Sequence, residues 1–333
     1  MTIAVAASPA ADLDELEPLR RELTGYCYRM LGSGFEADDA VQETLVRAWR
    51  SRARFEGRSA LRSWVYRIAT NVCIDMLRGR QRRARPMDLG PASPADPTHL
   101  GPLTAESRWL SPVADDRILP GGDPAEVAEG RESVRLAFVA ALQHLPARQR
   151  SVLILRDVLR WRAAEVAELL DTTPAAVNST LQRARTTLAE APGLRAGEGA
   201  GAPEVHPVDD AQRELLDAYV EAFESYDVPR LVALLHDDAV QCMPPFAMWL
   251  QGSADIGAWM LGAGIGCRGS HLVRAPAANG CPAFGQYRVD PAGGHRAWAL
   301  LVLETSGDRI SALNCFLDTR LFEAFGLPDR LNT

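Results

Sequence analysis

The sequence predicts a multidomain chain in which two all-α units precede an α+β unit. Three observations predict this. Apolar residues recur at helical spacing in two blocks, 12–85 and 125–190. Strand-like runs bounded by turn signals are confined to 209–333. Two stretches rich in Pro, Gly and Ala, 86–124 and 191–208, separate the blocks as linkers. A length of 333 residues fits two or three domains, and 47% hydrophobic residues suffice for packed cores.

Composition narrows the function. No run of eighteen apolar residues suggests a membrane span, and the N-terminal MTIAVAASPAADLDE lacks the basic start of a secretion signal. The expectation is a cytoplasmic protein with no membrane partner. Cys27, Cys73, Cys242, Cys267, Cys281 and Cys315 show no CxxC pairing, so buried free thiols are expected and neither a metal nor a cofactor is. The chain carries a net charge of −7. Yet from Glu43 to Arg85 twelve Arg stand against Glu43, Glu56 and Asp75. A basic helical block in an acidic chain is the footprint of a nucleic-acid binder, although an Arg-rich run can also be a solvated surface. All cations are Arg, whose fork suits phosphate oxygens.

After a disordered tail over 1–11, a helix is predicted over 12–31, with Leu23, Tyr26, Cys27 and Met30 on one face. It stops at Gly32-Ser33-Gly34. A second helix follows from Asp38 to 54, with Val41, Leu45, Ala48 and Trp49 as its apolar stripe. A third covers 59–80 on Leu61, Trp64, Val65, Ile68 and Val72. On its face Trp64, Arg67, Asn71 and Arg78 fall at i, i+3, i+7 and i+14; Arg67 and Arg78 suit phosphates and Asn71 a base edge.

The residues DDAVQETLVRAW and SWVYRIATNVCIDMLR, with a short charged loop between them, resemble region 2 of extracytoplasmic-function (group IV) sigma factors of bacterial RNA polymerase. The resemblance implies that Asp39, Gln42, Glu43 and Val46 face the clamp helices of the core polymerase β′ subunit. It also implies that the loop holding Phe55 and Arg58 captures a flipped base of the −10 element, where an aromatic wedge is needed. Phe55 could equally close the corner between two helices.

The linker 86–124 contains one apolar island, Trp109-Leu110, for which a docking contact with another domain and a regulatory role are expected. Beyond it, Val134, Phe138, Ala141, Leu142 and Leu145 form a stripe that stops at Pro146. A helix-turn-helix follows: 163–170, a turn at Asp171-Thr172-Thr173, and a second helix opened by Pro174. With Val177, Leu181, Ala184 and Leu188 inward, Asn178, Ser179 and Gln182 are the base-edge candidates and Arg183 and Arg185 the phosphate candidates. This block resembles region 4 of the same family, which implies reading of the −35 element and contact with the polymerase β flap. Relatives often carry Arg or Lys at the position of Asn178, so a different −35 preference is implied.

The last block reads as helices over 210–223 and 229–236, a strand over 239–243 and a helix around Trp259. Strands then follow over 271–275, 283–289, 296–304 and 309–317, with hairpin signals at Gly293-Gly294 and Gly307-Asp308. The run AYVEAFESYDVPRLVALLHDDAVQCMPP resembles the SnoaL-like members of the NTF2-like cone fold. That resemblance implies a pocket able to take a small ligand, with Asp255, His271, His236 and His295 as acid–base candidates were it an enzyme. The reading as a whole is a sigma factor modulated by its own C-terminal domain. The alternatives are an enzyme tethered to DNA by a helical half and a repressor that needs no polymerase.

Overall fold

The structure is a computed structural model that describes residues 15–52, 55, 60–119, 124–190 and 210–332. The tail expected over 1–11, the linker over 191–208 and Arg58 lie outside the described residues.

Helix α1 (Arg20–Leu31) follows a 3-10 turn at Glu17–Leu19. Gly32 at φ 71° ends it in the left-handed conformation, and a Cβ there would sit 2.6 Å from Leu110. Helix α2 (Gly34–Ser51) starts earlier than Asp38, because Ser33 caps it by accepting the Glu36 N–H at 3.4 Å. Helix α3 (Leu61–Leu77) completes the first unit. Tyr26, Tyr66, Val41, Leu45 and Val65 are buried in its core.

Trp49 departs from the expected stripe: it is 42% exposed while Val41, Leu45 and Ala48 are buried. The physical reason is angular. Trp49 lies a further 100° round the helix from Ala48 and shares its side with exposed Gln42, seven residues earlier.

The second helical unit comprises α4 (Pro124–Glu132), α5 (Leu136–Leu142), α6 (Ala147–Leu153) with a π turn at Ile154–Val158, α7 (Ala163–Leu169) and α8 (Pro174–Ala189). Pro174 follows the Thr173 cap, which accepts the Ala176 N–H at 3.2 Å. The two helical units share one apolar core rather than two.

The C-terminal domain opens with α9 (Asp210–Glu224) and α10 (Val228–Ala233), then β1 (Leu235–Cys242), β2 (Trp249–Gln251) and α11 (Ser253–Leu261). Four longer strands follow: β3 (His271–Ala278), β4 (Cys281–Val289), β5 (His295–Ser306) and β6 (Arg309–Phe316). Helix α12 (Arg320–Ala324) and β7 (Arg330–Leu331) close the chain. The sheet order is β2-β1-β6-β5-β4-β3, with β7 on β5; only β1 and β6 run parallel. On β5, Ala299, Leu301 and Leu303 face the helices of the cone. Leu300 and Val302 face outward against Ala114, Leu136, Phe35 and Phe316. The sheet is therefore buried on both faces, the outer one by the helical units.

The stretch 86–119 is a packed strap. It holds 3-10 turns at Pro86–Asp88, Pro97–His99, Glu106–Arg108 and Asp115–Arg117. Ala95 and Leu100 pack against the interior cluster of the cone. Ser93 donates to the Trp249 carbonyl at 2.8 Å and the Trp249 indole donates to the Gly90 carbonyl at 2.9 Å. Low helical or strand periodicity hid this, because the strap's backbone is satisfied by neighbours rather than by itself.

Candidate nucleic-acid interface

The structure puts Asp39, Gln42, Glu43 and Val46 along one side of α2, with all but half-buried Val46 exposed. Gln42, Val46 and Trp49 line a groove of about 300 Å³ with Leu16 and Arg20. Trp49, assigned to the core by its spacing, is thus the exposed aromatic of that groove.

On α3, Asn71 and Arg78 are exposed, and Arg78 pairs with Asp75 at 3.3 Å. Trp64 is half-buried, with its ring 5.0 Å from Phe55. Arg67 is already used: it donates to the Glu168 carbonyl of α7 at 2.8 Å. Beside it Trp161 stacks on Tyr66 at 4.9 Å, and the Arg62 guanidinium lies over both rings. The helix expected to touch DNA in the first unit is packed on the second.

On the second helix of the helix-turn-helix, Asn178, Ser179, Gln182 and Arg183 are exposed. Arg185 is held by Asp157 at 2.7 Å. A positive edge with three neutral hydrogen-bonding side chains at one end fits a major groove.

Two buried guanidiniums tie the units together without a carboxylate. Arg29 donates to the Ser133 carbonyl at 3.1 Å and its hydroxyl at 2.6 Å. Arg150 donates to the Gln143 side-chain oxygen at 2.6 Å and also to the Met30 carbonyl, at the C-terminal end of α1. Burial pushes both down to about 10, so both stay charged at neutral pH.

The strap and the turn between β3 and β4 carry contacts that, apart from the docking expected of Trp109 and Leu110, sequence reasoning missed. Trp109 and Leu110 are buried. Ala84 donates to the Arg108 carbonyl at 2.9 Å, and Ser111 donates to the Gly32 carbonyl at 3.1 Å. Asn279 is fully buried at φ 54°. Its amide donates to the Tyr28 hydroxyl and the Val134 carbonyl, each at 2.6 Å, and its oxygen accepts the Val113 N–H at 3.1 Å. Tyr28 passes the chain on to the Ser111 carbonyl at 3.0 Å. Burial pushes the Tyr28 phenol up, so it remains a donor. One side chain thereby joins α1, the strap, the segment leading into α5 and the C-terminal domain. The Asn-Gly pair signals a tight hairpin, but nothing in the sequence places its tip inside another domain.

Of the acid–base candidates of the cone, His271 and His295 meet, while Asp255 and His236 stand apart from them. Asp255 is exposed on α11, and His236 pairs with Asp238 at the surface. The His271 ring meets the His295 ring edge to face, centroids 4.3 Å apart, and its Nδ1 lies 3.4 Å from Glu224.

Comparison with known proteins decides the family. Sigma-70 region 2 matches residues 16–83 and Sigma-70, region 4 matches residues 135–188. The ECF RNA polymerase sigma factor SigG of Mycobacterium tuberculosis is 46% identical over 316 residues, 95% of this chain and 83% of its own length. The chain belongs to the extracytoplasmic-function sigma factors. SigJ of the same organism is 28% identical over 228 residues, 68% of this chain and 63% of that one. The SigJ crystal structure aligns with a TM-score of 0.59 at 21% identity, covering 95% of this chain and 100% of that chain. This sigma factor therefore shares its three-part fold, two helical sigma domains followed by an α+β domain. As a sigma factor it binds core RNA polymerase and promoter DNA and directs transcription initiation. No helix among the described residues is long and apolar enough to cross a membrane.

Proposed function

We propose that the closed arrangement is a resting form of the sigma factor, and that the C-terminal domain holds it shut through the β3–β4 turn. The observation that carries this reading is the shared core of regions 2 and 4. Elements centred near −10 and −35 lie about 25 base pairs apart, or about 85 Å at 3.4 Å per pair. Arg67 on the region 2 helix meets Glu168 in region 4 at 2.8 Å. Both elements cannot be read in that state, so promoter binding requires the seam to part. The strap from 86 to 119 must then undock, and Asn279 is the side chain that pins it.

In this reading the groove beside Trp49 receives the β′ clamp helices, with Asp39, Gln42, Glu43 and Val46 around it. Arg67 is released from Glu168 to join Asn71, Arg78, Trp64 and Phe55 at the −10 element. Asn178, Ser179, Gln182, Arg183 and Arg185 take the −35 element. Trp109 and Leu110 anchor the strap in the resting form. The protein works in the cytoplasm with polymerase, and the cone acts as a regulator rather than an enzyme. The separation of Asp255 and His236 from the His271–His295 pair supports that last point.

The test is run-off transcription with core polymerase, comparing the full chain with Asn279→Ala at equal protein level. Loss of three buried hydrogen bonds, and of an Asn that tolerates positive φ better than Ala does, weakens the latch by about 2 kcal/mol. That ceiling corresponds to roughly a 30-fold shift of the closed–open balance. Output is expected to rise several-fold. Output unchanged from wild type in both Asn279→Ala and Trp109→Ala would sink the latch.

A further inference from the structure

The cone is acidic, yet one end of its sheet gathers cations. Between 210 and 332 it carries nine Arg against fifteen Asp and Glu. Six of the nine Arg are ion-paired; Arg268, Arg288 and Arg296 have no ion pair among the described residues. These three are neighbours. Arg288 of β4 and Arg296 of β5 are direct cross-strand partners, and Arg330 of β7 stands on the other side of Arg296. Arg268 reaches the same place from the loop between α11 and β3. Burial raises the Tyr226 phenol, and the guanidiniums of Arg268 and Arg288 both act to lower it, so both stand around that ring. Like charges directly opposite on adjacent strands are destabilising. In a domain with an excess of carboxylates, adjacent guanidiniums without a counter-charge mark a place for an anion.

The cluster is also held in shape. The Arg288 guanidinium lies on the Trp298 ring, 3.6 Å from its centroid, and donates to Cys267 Sγ at 3.1 Å. Arg268 stands over the Tyr226 ring at 5.2 Å. Gly266 lies beside the Arg288 guanidinium, where a Cβ would come within 3.6 Å of it, so a longer side chain at 266 would cover it. Arg268 and Arg296 are exposed to solvent. Two carboxylates at the same end are already engaged, Asp290 by Arg330 at 2.6 Å and Glu224 by the Leu272 N–H at 2.8 Å. Guanidiniums propped on rings have already lost much of their freedom, so an anion that joins them costs little further ordering.

We propose that this patch binds the diphosphate group of a small molecule such as a nucleoside diphosphate. Arg268 and Arg296 hold its phosphates through their forks, with Arg288 between them. A diphosphate has oxygens enough to meet all three guanidiniums, whereas a single sulfate is too short to span from β5 across β4 to the loop. The field of the surrounding carboxylates disfavours a long polyanion such as DNA and leaves room for a small one. The site goes beyond the latch reading and does not depend on it.

The probe is inorganic pyrophosphate, titrated calorimetrically into the full chain at about 0.15 M salt without divalent cations, with sulfate as the control. Pyrophosphate is expected to bind at least about tenfold more tightly than sulfate, the weight of one charge-assisted hydrogen bond. Arg296→Gln and Arg268→Gln, both at exposed positions, should each weaken it by about the same factor. Gly266→Leu keeps every charge but covers Arg288, and should weaken binding severalfold. Arg309→Gln, beyond the opposite end of β5, should leave it unchanged. No heat at about 5 mM pyrophosphate overturns the proposal, as does sulfate binding equally tightly or a folded Arg268→Gln, Arg296→Gln double variant binding as wild type does. Displacement of pyrophosphate by an unrelated DNA duplex at equal phosphate concentration also overturns it, because the patch would then be a contact for the DNA backbone. Asn279→Ala should leave pyrophosphate affinity unchanged whatever it does to transcription, which keeps the failure of the latch distinct from the failure of this site.

Discussion

The molecule has two internal seams, and they are built from different materials. Between regions 2 and 4 the contact is aromatic and apolar: Tyr66 stacks on Trp161 and a single core runs through both units. Its polar groups, Arg29 and Arg150, are held by carbonyls and a hydroxyl rather than by carboxylates. Between the sigma half and the cone an apolar patch, Leu300 and Val302 against Ala114, Leu136 and Phe35, is joined by a network of polar contacts. Asn279 reaches through it, Asp115 sits in it with an unmet oxygen, and Arg320 crosses it to Glu106 and the Phe35 ring. Apolar seams respond little to pH, salt or small molecules, whereas polar ones respond to all three. The difference teaches where a signal can act: on the cone seam, with the seam between regions 2 and 4 following.

The sharpest way to break the comparison is Trp161→Ala. Truncating a buried Trp costs about 3–5 kcal/mol, and here the stack on Tyr66 and the Arg62 contact go with it. Urea unfolding should show that loss with the cone seam intact, so Asn279→Ala added to it should cost nearly its usual amount. Strong non-additivity would mean that the two seams are one.

Gln182→Ala and Asn178→Ala come next and sharpen the comparison by touching neither seam. Both residues are exposed on α8. Each should cost about 1–3 kcal/mol of −35 discrimination in promoter competition, with unfolding unchanged. An altered unfolding midpoint would place these side chains in the closed structure instead.

How much of this was legible in the sequence follows the same division. Helices α1, α2, α3, α7 and α8 carry a periodic apolar stripe, and their approximate positions follow from it. The alternation along β5 likewise marks a strand. The seams carry no period. Arg150 looks like any exposed Arg in a basic helix, and only the carbonyls brought to it from Met30 and Gln143 make burial tolerable. Trp49 misled because the apolar stripe of α2 is one residue narrower than its sequence suggests. Asn279 is an ordinary turn residue until tertiary structure brings Tyr28, Val113 and Val134 around it. Trp109 and Leu110 stood out only because apolar side chains in a Pro- and Gly-rich stretch need cover.

Arg320→Ala has a smaller effect. The Arg320–Glu106 pair at 2.5 Å is half exposed on both sides, so it is worth under about 1 kcal/mol even with the ring contact. That contribution should fade as salt rises, and the gap between wild type and variant should close by about 1 M. A gap that persists in high salt would assign the contact to the Phe35 packing rather than to charge.

The smallest effect tests the titratable character of the cone seam directly. Burial raises the Asp115 carboxyl above its ordinary 3.8, opposed by the Gly280 N–H and by the Arg131 charge, while Asp116 reinforces it. A raised folded value means that the folded chain holds the proton more firmly than the unfolded one. Folded protein then binds more protons than unfolded through the window that starts near 3.8, so stability is lost as pH rises through it. Asp115→Asn removes this dependence while keeping an oxygen for Gly280. The stability of the variant relative to wild type should therefore increase as pH climbs from about 4 and level off once Asp115 is fully ionised in the folded chain. Taking the difference cancels the other carboxylates, Glu132 and Asp116 among them. A difference that is flat with pH, or that shrinks, would mean that Asp115 is not the uncompensated charge of this seam, and the polar side of the comparison would lose its titratable member.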